Sequence, residues 1–457
     1  MTIVNQPYWD ISLVKRLERL AGKIALFGMV APISVGYGLI EPGSTNSRPD
    51  GVAIMSYRQN GIVVSETVVE SSAAIQHGFI YAEIGSGVKT GIAIANPAAS
   101  TITVSFSYAD ADGKALGQSS VSLPPASQIA RFLDDAPFSL GTPVRAVLTF
   151  DASAPVYITA LRGLVNERSE FILSTLPIIE TNPTAGPLLI PHFADGGGWS
   201  TQTVLMNPTN QAMRGSIQFF NHETQGVTTV VIYSIAPGGS YRFQTLGTEP
   251  DTQVGSVWII PSSDTGVPAA FGVFSFRHDG VTVTEAAMRA VNGVTSYRLY
   301  VENSDAVQTG VVIANPSASP ITVSLEARTL TGAQTGLTAF LTIPGRGQVA
   351  QFLGQMRGFE KIGSGFRGML RVSTTAASGI AVAGVRGRYN ERGDFLTATL
   401  PAIDEFASSL RPDRAFPHYV EGAGYTTEFV LFGGNPSSAP AGVVRLFDQS
   451  GHLISAW

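Results

Sequence analysis

The stretch TGIAIANPAASTITVSF, residues 90–106, returns as TGVVIANPSASPITVSL at residues 309–325. Asn96 and Asn315 fix the offset at 315 − 96 = 219 residues. The match runs on, because ALRGLVNERSEFILSTLP (160–177) returns as GVRGRYNERGDFLTATLP (384–401). Self-similarity at a long period makes the chain an array of supersecondary units and has to be read before any local pattern.

Inside each copy the local period is that of strands. Ile102, Val104, Phe106 and Tyr108 alternate with polar residues and fall on one face. Apolar runs of six to eight residues follow one another between Asn-Pro, Asp-Gly, Pro-Pro and Gly-Thr-Pro breaks. Short strands with turn signals between them predict an antiparallel sandwich. The runs are not interrupted by a helical pattern, which argues against a parallel α/β sheet. Residues 78–182 and 295–408 are thus two sandwich modules of one type, A.

A second type, B, opens with IPHFADGGGWSTQTVLMNP (190–208) and spans 183–294. Its opening recurs as FPHYVEGAGYTTEFVLFGGNP (416–436), so 409–457 is expected to be the first half of another B, truncated. MSYRQNGIVVSE (55–66) matches FSFRHDGVTVTE (274–285) at the same offset, which makes 34–77 the last half of a B. Asn60-Gly61 and Asp279-Gly280, each between apolar runs, are strong hairpin signals. Asn-Pro pairs at 96, 207, 315 and 435 mark the modules, with spacings of 111, 108 and 120.

The expected fold is therefore all-β: a tandem array of antiparallel β-sandwich modules of about 110 residues, with a short N-terminal helix. The short links, with Pro183, Pro187 and Pro412, predict an extended, modestly bendable rod. Residues 1–33 and 415–457 are expected to be its least packed parts, since half a sandwich has an open edge. The helix, in 10–23, rests on Leu13, Leu17 and Leu20, with Ile24 just beyond it continuing the helical spacing. The apolar run 24–40 has two readings, a signal or anchor segment and a strand of the repeat. Membrane contact is expected only under the first.

Composition narrows function. The chain has 457 residues, 44% hydrophobic and 14% charged, with net charge −5 and its 29 Lys and Arg spread out. That leaves no electrostatic footprint for nucleic acid. With no cysteine, thiolate zinc, disulfides and thiol catalysis are excluded. Asp110-Ala111-Asp112-Gly113 lacks the bidentate acid of a calcium loop and reads as a turn. Gly196-Gly197-Gly198 lacks the Lys and helix of a phosphate loop. No metal, cofactor or catalytic residue is assigned.

Two constellations recur. Arg162 and Glu167, in RGLVNERSEF, return as Arg386 and Glu391, in RGRYNERGDF. One reading is a recognition loop with arginine available to a carboxylate or sugar. The other is a hairpin whose Asn takes an unusual backbone angle and whose Glu and Arg pair across the turn. His192, Asp195 and Trp199 return as His418, Glu421 and Tyr425. A carboxylate, a Gly-rich loop and an aromatic suit a glycan. The structural alternative has His capping backbone groups and the aromatic plugging the sandwich end.

On NERGDF, the DGGGW opening and the Asn-Pro-marked strands, residues 34–457 resemble the tandem, loosely immunoglobulin- or fibronectin-III-like β-sandwich repeats of large secreted or surface proteins of environmental bacteria. The resemblance implies an extracellular or cell-surface chain whose repeats are spacers or adhesive modules, with a cell-surface glycan or protein as partner. The expected function is a non-enzymatic structural stalk or adhesion module. The alternatives are a glycan-binding array and the accessory region of a larger secreted enzyme.

Overall fold

The computed structural model describes residues 23–26, 33–42, 49–180, 186–224, 226–330, 332–406, 413–433 and 442–456. The chain is all-β, with several antiparallel sheets. The helix expected in 10–23 lies outside the described residues, apart from Lys23, which begins a strand. Among the described residues there is no α-helix, only one 3-10 turn at Leu353–Gln355. No helix among them is long and apolar enough to cross a membrane. The described parts of the apolar run 24–40 are strands.

In chain order the first strands are β1 (Lys23–Leu26), β2 (Ser34–Pro42), β3 (Pro49–Gln59) and β4 (Ile62–Glu70). Then come β5 (Ile75–Gly85), β6 (Val88–Ala95), β7 (Ile102–Ala109), β8 (Ala115–Leu123), β9 (Gln128–Phe132), β10 (Val144–Val165) and β11 (Phe171–Leu176). The next group is β12 (Leu188–Asp195), β13 (Trp199–Met206), β14 (Met213–Asn221), β15 (Val227–Ile235), β16 (Ser240–Gln244), β17 (Gln253–Pro261), β18 (Ala269–His278) and β19 (Val281–Arg289). It is followed by β20 (Ser296–Asn303), β21 (Val307–Ala314), β22 (Ile321–Thr329), β23 (Gln334–Ile343), β24 (Gln348–Phe352), β25 (Phe366–Thr374), β26 (Ala381–Tyr389), β27 (Phe395–Leu400) and β28 (Ile403–Asp404). The last are β29 (Arg414–Glu421), β30 (Tyr425–Gly433), β31 (Gly442–Asp448) and β32 (Leu453–Ala456).

One pairing scheme recurs. Between 188 and 289 the sheets are β12-β17-β14-β15 and β16-β13-β18-β19, and their apolar residues share one core. Numbered within the unit, the strands run 1-6-3-4 and 5-2-7-8. This is not the ABED/CFG order of an immunoglobulin domain. Residues 75–176 follow the same scheme with strands 6 and 7 fused into β10. Its first half lies between β5 and β7, its second between β6 and β11, and the register breaks between Asp151 and Val156. Residues 296–400 repeat it with β25 and β26 separate.

The fourth unit is assembled from both ends of the chain. Its sheets are β29-β2-β31-β32 and β1-β30-β3-β4. β3 and β30 pair continuously from Pro49–Gly433 to Tyr57–Tyr425. Ile40, Ala53, Met55 and Val69 share a core with Phe416, Phe429, Leu431 and Val444. This corrects the expectation of two open half sandwiches, 34–77 and 409–457. Each half carries the strands the other lacks, so pairing them satisfies the backbone groups that an open edge would expose.

Two buried polar residues set the local geometry. A threonine near the start of the second strand of each unit bonds reciprocally to the residue seven earlier: Thr90 to Glu83, Thr201 to Ala194, Thr309 to Glu302 and Thr427 to Val420. Each Asn of the described Asn-Pro pairs ties two turns together. Asn96 donates to the carbonyls of Ser100, Leu123 and Pro124, and Asn207 and Asn315 do the same in their units. The hairpins at Asn60-Gly61 and Asp279-Gly280 have positive φ at both positions, as a type I′ turn requires.

Candidate functional site

The four units meet around a common centre, which corrects the expected rod. The eighth strand of each unit, β4, β11, β19 and β27, packs against its counterparts on both sides. These edges meet through side chains. Ser65 Oγ accepts from the Leu173 amide at 2.8 Å, and Thr284 Oγ1 accepts from that of Thr397 at 2.9 Å. The two Asn-Glu-Arg hairpins face one another here. Arg168 bonds Asp394 at 2.8 Å and Arg392 bonds Glu170 at 2.6 Å.

Arg162 and Arg386 are consumed by this assembly. Arg162 bridges Glu83 at 2.7 Å and Glu285 of the next unit at 2.9 Å, with all three side chains under 10% exposed. Arg386 bridges Glu302 at 2.7 Å and Glu66 of the fourth unit at 3.2 Å, again deeply buried. Burial alone would raise the carboxyls of Glu83 and Glu302. The charges of Arg162 and Arg386, with hydrogen bonds from Arg145 and Arg367, outweigh it and hold both below the ordinary carboxylate range. Glu167 accepts from the Thr282 amide and pairs with Arg277, and Glu391 accepts from the Val63 amide and pairs with Arg58. The hairpin alternative of the sequence reading is corrected in detail. The positive φ falls on Ser169 and Gly393, not on Asn166 or Asn390, and Glu167 and Glu391 pair with arginines of other units, not across the turn.

The second constellation divides. Pro191-His192 and Pro417-His418 sit where one unit abuts the next. His192 Nδ1 accepts from Gln348 Nε2 at 2.9 Å, and the same amide donates to the Pro191 carbonyl. His418 Nδ1 meets Gln128 Nε2 at 3.4 Å, and that amide also donates to Pro417. Desolvation lowers both imidazoles to about 4, so both are neutral at pH 7. Asp195 accepts from the Gly247 amide and Trp199 stacks on Phe276 at 4.7 Å. Tyr425 stacks on Tyr57 at 4.3 Å, and burial raises the Glu421 carboxyl.

His192 and Trp199 are brought together on a recess of about 320 Å³ between β12–β19 and the face of β21, β24, β26 and β27. Phe274, Met288, Phe352, Val385 and Phe395 lie on its wall with Thr252, Gln351 and Thr397. Asp195 does not line it. Because Gln348 occupies Nδ1, the Nε2–H tautomer follows, and among the described residues no protein group bonds to Nε2. A smaller recess of about 180 Å³ lies near the centre, with Glu70, Glu180 and Arg289 on its lining. No three His, Asp or Glu side chains gather as a metal cluster among the described residues.

Glu66, Glu83, Glu285 and Glu302, and the glutamines 128 and 348, were not singled out in the sequence. Their signal was present: a glutamate inside an otherwise apolar strand, and a glutamine before an apolar run, each recurring in the second copy.

No family model matches the chain, and no curated protein matches it. Among solved structures it is similar to the chain of infectious bursal virus derived T=1 particles, at 10% identity and a TM-score of 0.12, covering 88% of this chain and 84% of that one. It is also similar to the infectious bursal disease virus VP2 subviral particle, at 9% identity and a TM-score of 0.12, covering 80% and 81%. Likeness at such scores carries no argument.

Proposed function

We propose that the protein is a non-enzymatic adhesion or ligand-binding module of the cell surface or extracellular space, its units being β-sandwiches closed into a compact body. Four units meeting at one centre suit a rigid platform better than a stalk, because a stalk needs its units strung out. The recurrent hairpin tips support the platform, since their charged groups are already paired. Recognition then falls to the junctions between units. The observation that carries this is the convergence of His192 and Trp199 on the recess facing β21 and β26. A glycan reading is favoured by Trp199 alone, an aromatic on the lining of the recess. The test compares wild type and Trp199→Ala for binding to intact cells and to immobilised polysaccharides. Loss in the variant supports recognition at this junction, and unchanged binding places recognition elsewhere. Turnover of an ester, peptide or glycoside that a single substitution abolishes would contradict the non-enzymatic assignment.

A further inference from the structure

We propose that the recess between β12–β19 and β21–β27 takes a compact, largely apolar ring compound bearing one hydrogen-bond acceptor, which His192 Nε2–H holds. This names the ligand class and rests on the reading that recognition occurs at this junction. At about 320 Å³ the recess lies at the small end of the range for ligand pockets, roughly 300–1,000 Å³. Apolar residues outnumber polar ones on its walls, where Thr252, Gln351, Gln355, Thr397 and Thr399 join His192, so an apolar ring is better served there than a sugar that must bury every hydroxyl. His192 is a neutral donor fixed from behind by Gln348, and such a fixed polar group sets the orientation of an apolar ligand.

The pseudo-equivalent junction shows which side chains the fold accepts at the corresponding positions. The registers Leu161–Thr175 and Gly163–Leu173 correspond to Val385–Thr399 and Gly387–Thr397. Leu161 and Leu173 thus stand where the recess has Val385 and Thr397. Leu161 packs into the core of the fourth unit beside Met55 and Val69. Val385, smaller by one methylene, packs against the core of the second unit and also lines the cavity. The variant Val385→Leu/Thr397→Leu therefore fills the recess with residues that the same fold already accepts. The main-chain bonds between Thr397 and Thr284 survive, because Leu173 makes the same bonds with Ser65.

The experiment is ligand-observed NMR titration of the full chain with acetophenone, with its acceptor-free isostere α-methylstyrene, and with methyl β-glucoside. Acetophenone should bind saturably at one site, about threefold to tenfold tighter than α-methylstyrene, as one neutral hydrogen bond allows. Methyl β-glucoside should not compete. The double variant should lose at least about tenfold in affinity with unchanged thermal unfolding. Absence of saturable binding, equal affinity for the two ring compounds, or undiminished binding in a folded double variant would each overturn the assignment. Should the double variant not fold, the preference between the two compounds in wild type decides. Trp199-dependent polysaccharide or cell binding without acetophenone binding removes the ligand class and keeps the junction. Cell binding indifferent to Trp199 removes the junction itself.

Discussion

Replacing Arg386 with methionine removes the one group that joins Glu66 and Glu302 across the junction between the third and fourth units. The Arg386 side chain is 4% exposed, and those of Glu66 and Glu302 are 2% and 4%. Breaking such a buried pair costs about 3–5 kcal/mol, because the abandoned carboxylates stay out of water. Each keeps an outer arginine and a hydroxyl donor, Arg388 and Ser56 for Glu66, Arg367 and Tyr300 for Glu302. The loss should then sit at the low end, about 3 kcal/mol. Unfolding entropy near 60 °C is about 2.1 cal/mol/K per residue. If all four units unfold together, the transition entropy is about 0.9 kcal/mol/K and Tm falls by about 3 °C. If a unit of about 110 residues unfolds alone, its transition falls by about 13 °C and separates from the rest. Calorimetry distinguishes the two, and the closed arrangement predicts the first. Removing the buried charges with Glu66→Gln and Glu302→Gln should recover part of the loss, because Arg388 and Arg367, which then lose their partners, are partly exposed. A loss below about 1 kcal/mol would refute the claim that these charges are buried together.

Three further outcomes follow from the same contacts. His192 and His418, depressed to about 4 from 6.5, favour the fold only while neutral, so urea midpoints should fall as pH drops from 6.5 towards 4, and His418→Gln should flatten part of that slope. Glu83 and Glu302, held below their ordinary 4.5, contribute stability that is complete above that value, so a further loss should begin below pH 4.5. Thr309→Val deletes the reciprocal bond to Glu302 in a buried site and should cost about 1–3 kcal/mol by urea denaturation, whereas the exposed Ser105→Val in β7 should change stability by less than about 0.5 kcal/mol.

Strand content was legible because it depends on local patterns. The alternation of Ile102, Val104, Phe106 and Tyr108 sends each to the core with exposed residues between. Asn60-Gly61 and Asp279-Gly280 form the turns their chemistry demands. Closure was not legible, because a strand's period fixes which face is buried and not which partner it takes. The inventory still held the clue: 34–70 carries counterparts of the last three strands of a unit, and 414–456 of the first four. Reading them as two open ends overlooked that they are complementary. The charged hairpin tips misled for a related reason. NER in a turn looks solvent-facing from sequence, but Arg168 and Arg392 reach acids more than 220 residues away, each in the opposite copy. His192 was found as a candidate, while its glutamine partner, 156 residues distant, left only the recurrence of Gln128 and Gln348 as a trace.

The pairing of β3 with β30 is tested most directly by a single engineered disulfide, Ser56→Cys with Thr426→Cys. These residues lie opposite one another in register. Facing antiparallel residues have Cα atoms about 4.5–5.5 Å apart, inside the disulfide range of about 4.4–6.8 Å. The chain has no other cysteine, so only one intramolecular bond can form. Oxidation of dilute protein should give a monomer closed over 426 − 56 = 370 residues, migrating faster without reductant and unfolding at a higher temperature. Free thiols, or only intermolecular dimers, in the folded protein would contradict the closure of the four units into one body.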